Sequence, residues 1–274
     1  MSKLDKTEIQ NKVEELDRQQ KWNHCIELPY GVKTTSEDQV SHGKNIIKWS
    51  RIKPYIDAIN VKGKRILDIG CNEGFFSLKL RELEAGEVIG IDADELRIKK
   101  AQFVKEILNV ENITFKVMDI FDGNIEKYGH FDFTLCLGFL HRVPYPYKVI
   151  QKLTGISDMI VFEWKSLKEG SFDLPIMKYC GGKSKDSNQY SGLYWLPSTN
   201  CVIDILKSLG HTHNLVIDNS TRRRTIMISS KQNNAVFENK DLISMSKFAC
   251  SKQVTASFIR NIIRILKDKN IKWI

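Results

Sequence analysis

The stretch Arg65 to Phe76, RILDIGCNEGFF, constrains this chain more than any other. Arg65-Ile66-Leu67-Asp68-Ile69 is a short apolar run rich in β-branched side chains, which predicts a buried strand. Gly70 and Gly74 bracket a tight turn, and Phe75-Phe76-Ser77-Leu78-Lys79-Leu80 resumes at helical spacing. Strand, glycine turn and helix in that order bring backbone N–H groups and a helix N-terminus up to a ligand. The dinucleotide pattern G-x-G-x-x-G is not met, because Asn72 fills its third position. What stands instead is D-x-G-x-x-x-G. The same corner also occurs as an ordinary β-turn-α unit with no ligand.

Beyond Arg65, strand and helix patterns alternate, which argues for an α/β fold with a mostly parallel sheet and helices on both faces. Strands are expected at Glu87–Asp92, Ile113–Val117, Phe131–Leu137 and Asp158–Glu163, with closing strands at Leu215–Asp218 and Arg224–Ser229. Helices are expected over Ala93–Leu108, up to Leu153 and from Ser198 to Leu209. Ser166 to Gly192 has few periodic apolar residues and reads as an inserted loop. Ahead of the core, Thr7 to Gln20 spaces Ile9, Val13 and Leu16 as a surface amphipathic helix. Trp22 to Gly31 then reads either as a lid over the site or as a strap packed on the core. Three units follow: an N-terminal helix and strap over residues 1–60, a central domain over 61–230 and a tail over 231–274.

A chain of 274 residues can bury one substantial core with appendages. No apolar run approaches membrane-spanning length, and the N-terminus lacks a signal peptide's apolar core. Six scattered cysteines without a C-x-x-C pair argue against a disulfide framework or a zinc site, so a cytoplasmic protein holding no metal is expected. The net charge of +9 is uneven: Lys231 to Ile274 carries nine basic and three acidic residues, a net +6. In that tail Phe258, Ile259, Ile262, Ile263 and Leu266 form one helical stripe, with Arg260, Arg264, Lys267 and Lys269 largely off it. Such a helix packs on its own protein or a second copy, making a homo-oligomer, or lies on an anionic membrane surface.

In open parallel sheets, ligands bind beyond the carboxyl ends of the strands. Asp92 ends the second strand, where an acid can chelate ribose hydroxyls, and Asp119 follows the third, where a carboxylate can accept from an adenine amino group. Asp68, Asp92 and Asp119, each on its own strand end, form a register that separate solvated carboxylates do not explain. Three residues are candidate proton acceptors. His141 follows the fourth strand and titrates near neutral pH; the alternative is packing against the ligand. Glu163 closes the fifth strand; its alternative is an ion pair. His24 qualifies only where the strap folds over the site. Thr221-Arg222-Arg223-Arg224-Thr225 is a cationic hairpin tip that can orient an anion or simply be solvated.

These residues resemble the class I S-adenosylmethionine methyltransferases, with LDIGCNEGFFS as their first motif. More particularly, WNHCIELPYGVKT, KWSRIKPYI, GIDAD, LGFLHRVPYP, YWLPS and Arg224 at the last strand are similar to the family of tRNA wobble-uridine carboxymethyl transferases and its glycan and small-metabolite relatives. The resemblance implies a Rossmann-like seven-stranded sheet with an N-terminal helical strap and a C-terminal helical tail. It implies S-adenosylmethionine at Lys48, Asp68, Gly70, Cys71, Asn72, Gly74, Asp92, Ala93, Asp94, Asp119, Ile120 and Leu137, with Asp68 facing the cofactor's ammonium group. It also implies an acceptor near Arg142, Trp164, Tyr194 and Arg224. In the tRNA enzymes a tyrosine stands at the position of His141 and helps hold a carboxylated cofactor. An upstream lysine with the same task has no clear counterpart here, although Lys48 and Arg224 match. The incomplete set points to plain S-adenosylmethionine and methyl transfer to an oxygen of a sugar, glycan precursor or other small metabolite. The alternatives are tRNA modification and a non-catalytic cofactor-binding protein whose tail engages a membrane or partner.

Overall fold

The computed structural model describes residues 4–35, 43–167, 174–181, 192, 194–218 and 224–246. Helix α1 (Lys6–Gln19) starts at a capping box, in which the Asp5 carboxylate accepts from the Glu8 N–H and the Glu8 side chain returns the bond. Its stripe of Ile9, Val13 and Leu16 is buried in the main core, so α1 is a structural part of the domain and not only a surface helix. Helix α2 (Gly43–Ile59) precedes the strand–turn–helix unit of β1 (Arg65–Ile69) and α3 (Phe75–Glu82). Then follow β2 (Glu87–Asp92), α4 (Glu95–Ile107), β3 (Ile113–Val117), β4 (Phe133–Leu137), α5 (Pro146–Ile156) and β5 (Met159–Lys165).

The inserted segment is not all loop. Within it β6 (Met177–Tyr179) pairs antiparallel with β7 (Trp195–Pro197). Three residues are too few for periodicity to declare, and this strand is specified by its partner. Helix α6 (Thr199–Ser208), capped by the Ser198 hydroxyl accepting from the Cys201 N–H, leads to β8 (His213–Asp218) and β9 (Arg224–Ser230). Helix α7 (Ala235–Glu238) and helical residues 240–246 follow. Val236 and Leu242 are buried in the main core, so the chain just after the last strand is part of the domain. The amphipathic stripe from Phe258 onward, and Arg222 and Arg223, lie outside the described residues.

The seven-stranded sheet runs β3-β2-β1-β4-β5-β9-β8. β1 to β5 are parallel, whereas β9 runs antiparallel to both β5 and β8. Successive residues face opposite sides, so Ile66 and Leu67, both fully buried, serve different apolar layers. One layer takes α1 to α4 and the other α5 and α6. This is the mostly parallel sheet that the alternating pattern predicted and the Rossmann-like seven-stranded sheet that the resemblance implied. Strand order reverses between β1 and β4, which opens a crevice at their carboxyl ends. No helix among the described residues is long and apolar enough to cross a membrane.

Candidate active site

A cavity of about 470 Å³ lies in that crevice, large enough for a nucleoside-sized ligand. Its floor is the turn after β1. Gly70 and Gly74 have φ of +67° and +80°, and a Cβ would stand 2.8 Å from the Phe139 ring at the first and 2.5 Å from the Phe115 ring at the second. Only glycine therefore suits either position. The turn is pinned to β2, because the Gly70 and Cys71 N–H groups both donate to the Ile91 carbonyl at 2.8 and 3.0 Å. Asp92 fastens two loops at once, its Oδ2 accepting from the Asn72 N–H and its Oδ1 from the Asp94 N–H, each at 3.0 Å.

Asp68 is buried and accepts from the Ser77 hydroxyl at 2.7 Å. Burial, with the nearby Asp92 charge, pushes its carboxyl up to about 6 against the pull of Ser77. A buried carboxylate in a cavity wall suits a cationic ligand group, and the glycine turn leaves backbone room beside it. The residues present therefore fit a cofactor with an ammonium group at Asp68 and ribose hydroxyls at Asp92.

At the far end of the cavity, beyond Leu137 and Gly138, the wall turns cationic. Glu163, 1% exposed, receives Lys48 Nζ at 3.1 Å on one oxygen and Arg224 Nη1 at 2.6 Å on the other. Although burial alone would raise its pKa, Lys48 and Arg224 hold it down at about 2. Lys48, Arg142 and Arg224 all line the cavity. His141 does not: it is 3% exposed, and its Nδ1 accepts the Lys165 N–H at 3.2 Å. Burial first, then the Arg224 charge, lowers its pKa to about 3. The ring is thus neutral, with its proton on Nε2.

The strap both packs and lines. Trp22, Ile26 and Leu28 are buried in the core, while Asn23 and His24 reach the cavity. Of the other sequence candidates, Asn72, Ala93, Ile120 and Leu137 line the cavity. Cys71, Gly74 and Asp94 support the turn from behind; Asp94 also caps α4 through the Leu96 and Arg97 N–H groups. Asp119 is not among the lining residues, though Met118 and Ile120 on either side of it are; its carboxylate accepts from the Phe121 N–H at 2.8 Å. Trp164 is fully buried, donating its indole N–H to the Pro197 carbonyl, and Tyr194 donates its backbone N–H to the His141 carbonyl. Neither lines the cavity. Sequence reasoning passed over Asn23, Glu73, Phe76, Arg97 and Phe139. Glu73 stands inside the glycine motif, yet nothing in the motif says that its side chain points back to the strap. Among the described residues no cluster of metal-ligating side chains exists.

Residues 60–171 match a family model described as a methyltransferase domain. A tRNA U34 carboxymethyltransferase of Campylobacter fetus subsp. fetus (strain 82-40) is 31% identical over 126 residues, 46% of this chain and 42% of the relative. One from Nautilia profundicola is 30% identical over 111 residues, 40% of this chain and 35% of the relative. The matched region thus spans less than half the length of these curated relatives. Among solved structures, the N-terminal domain of EvdMO1 with SAH bound superposes with a TM-score of 0.68 at 20% identity, covering 84% of this chain and 98% of that one. The magnesium protoporphyrin IX methyltransferase of Synechocystis PCC 6803 with bound SAM gives 0.52 at 18% identity, covering 72% and 86%. These structural likenesses establish the fold.

Proposed function

We propose, from the premise that this chain carries a class I S-adenosylmethionine methyltransferase domain, that it methylates a hydroxyl oxygen of a small anionic acceptor such as an acidic sugar. The observation that carries this reading is that Lys48 and Arg224, both bonded to the buried carboxylate Glu163, line the cavity together with Arg142. Two of these cavity-lining cations are arginines, whose forks suit a carboxylate or phosphate on the acceptor. S-adenosylmethionine supplies an already activated methyl group, so the protein's work is alignment and proton acceptance. The acceptor oxygen takes the methyl carbon, the carbon–sulfur bonding pair stays on sulfur, and the hydroxyl proton passes to a base.

Of the three candidate bases, His24 fits best. Glu163 has both oxygens engaged by cations, and His141 has its acceptor nitrogen engaged by a backbone N–H. His24 is on the cavity wall. A sugar acceptor is in keeping with the EvdMO1 domain, a protein whose structure was also solved in the presence of SAH and D-fucose. The test is transfer of labelled methyl from S-adenosylmethionine to a panel of uronic acids, sugar phosphates, neutral sugars and tRNA. Labelling confined to neutral sugars would refute the anionic acceptor. Arg142→Met is expected to raise KM for an anionic acceptor by about tenfold, the worth of one charge-assisted hydrogen bond, with little change in cofactor affinity.

A second reading, wobble-uridine modification, is favoured by the name of the curated relatives and by the resemblance to that family at Lys48 and Arg224. It requires phosphate contacts around the cleft, whereas two thirds of the net charge lies in the tail. Labelling of tRNA in the same panel would select it.

Asp68 gives this function a pH signature. Its folded pKa of about 6 lies above the unfolded value of roughly 3.9. Its burial therefore favours the folded state below the lower value, and that contribution is lost as pH rises through the higher one. An ammonium ligand needs the carboxylate form. S-adenosylhomocysteine affinity should fall about fivefold between pH 6 and pH 5, measured by calorimetry, and Asp68→Asn should remove that slope.

A further inference from the structure

Glu73 has no exposed surface, although it stands inside the glycine turn between Asn72 and Gly74. Its carboxylate is engaged by the strap backbone: Oε1 accepts the Asn23 N–H at 3.0 Å and Oε2 accepts the His24 N–H at 3.2 Å. Burial pushes its pKa up, and the Arg97 charge, the Asn23 N–H and the Lys100 charge pull it back. A second fastening reaches the end of β2. The Gln20 side-chain amide donates to Asp94 Oδ2 at 2.9 Å, and the Asp94 N–H donates in turn to Asp92 Oδ1 at 3.0 Å. Lys100 of α4, fully buried, makes a third: its ammonium donates to the Gln20 carbonyl and lies over the Trp22 ring. Further along, the strap bonds to its own continuation. The Ile26 N–H donates to the Thr34 hydroxyl at 2.9 Å, and the Leu28 N–H to the Val32 carbonyl at 2.7 Å.

Resting on the methyltransferase reading above, we infer that Glu73 is the positioning residue that ties the strap to the cofactor site, so that the strap opens only when the cofactor leaves. Asn23 and His24 line the same cavity as Gly70, Asn72 and Asp92. A ligand seated there rests against strap and turn together. Lifting the strap removes one wall of the cavity and both backbone donors of Glu73 in the same movement. The turn itself has little freedom to follow. Asn72 and Gly74, on either side of Glu73, both have positive φ, at 54° and 80°. Few chain shapes satisfy that pair, so one conformation sets both the backbone that meets the cofactor and the carboxylate that reaches the strap. That conformation is held from the opposite side as well, where Asp92 accepts the Asn72 N–H and the Arg97 guanidinium donates to the Asn72 side-chain oxygen. Coupling of this kind is reciprocal: whatever the bound cofactor adds to the closed strap, the closed strap adds to cofactor affinity. It gives the N-terminal segment, which precedes the residues matched by the methyltransferase model, a direct part in binding.

The test is amide hydrogen exchange, resolved by NMR, on the full chain with and without S-adenosylhomocysteine at about 100 times its Kd. Ile26 and Leu28 are the reporters, because their acceptors lie in the strap and its continuation and survive a change at residue 73. When the strap must shed the ligand to open, saturation slows exchange at both by about a hundredfold. Glu73→Gln offers an oxygen to only one of the two strap N–H groups. Read at the same multiple of its own Kd, the variant should lose about tenfold of that slowing, the worth of one charge-assisted hydrogen bond. The Gly70 and Cys71 amides, bonded to the Ile91 carbonyl, should keep theirs. Equal exchange at Ile26 and Leu28 with and without ligand in the wild type overturns the inference without any variant having to fold. Undiminished slowing in a folded Glu73→Gln protein overturns it as well, since a residue that only stabilises the fold leaves the ligand-dependent part unmoved. Failure of the wild type to bind S-adenosylhomocysteine would instead sink the methyltransferase reading, and calorimetry on the same sample separates the two.

Discussion

Glu163→Ala is expected to lower the unfolding free energy by about 3 kcal/mol, near the lower limit for breaking a buried ion pair. The lower limit applies because the two cations left behind have side chains 19% and 35% exposed and can turn toward water. The pH dependence identifies the cause. Glu163 is depressed to about 2 by Lys48 and Arg224, against an unfolded value of roughly 4.3. Its contribution is fully present above the unfolded value and is lost as pH falls through the folded one. Urea denaturation should give a constant difference between wild type and variant from pH 5 to 8, shrinking between pH 4.5 and 2. A difference that survives at pH 2 would mean that the loss is one of packing and not of charge. Adding Arg224→Met to Glu163→Ala should recover part of the loss, since it removes a cation that has lost its counter-charge.

Asp92→Ala should weaken S-adenosylhomocysteine binding by about a hundredfold or more, equivalent to roughly 3 kcal/mol for two charged hydrogen bonds to ribose hydroxyls. The change also releases the Asn72 and Asp94 N–H groups that Asp92 now holds. The turn after β1 and the start of α4 would both loosen, so the effect exceeds the direct contact. Asp92→Asn retains one oxygen acceptor and should lose much less. Calorimetry decides it, and equal affinities for wild type and Asp92→Ala would remove the cofactor site from this end of the cavity.

Much of this was legible before any coordinates. β2 and β3 fall on the residues expected of them, and the first motif lies on β1, the turn and α3. These segments are dominated by contacts close in sequence, and an apolar run followed by a glycine turn is a local signal. What the sequence hid was mostly long-range. His141, Glu163 and His24 are all plausible bases by residue type. Which of them can accept a proton depends on partners 24, 61 and 115, and 49 residues away. Glu73 was invisible for the same reason, since its partners are in the strap. β6 was missed because a three-residue strand has no period to detect. In α1 the amphipathic spacing was right, but spacing alone does not say that the apolar stripe meets the domain's own core.

The antiparallel last strand has a consequence for how this protein is made. As the chain leaves the ribosome, β5 emerges with Glu163 buried on the sheet, but the guanidinium that pairs with it is on β9 and arrives 61 residues later. Between those moments β5 is an open edge carrying an under-compensated acid, and closing a loop of that length is entropically slow. The Glu163 end of the cavity is therefore completed only after β9 has emerged. A nascent chain halted before β9 would carry the turn after β1 and Asp92, but no Arg224 to pair with Glu163.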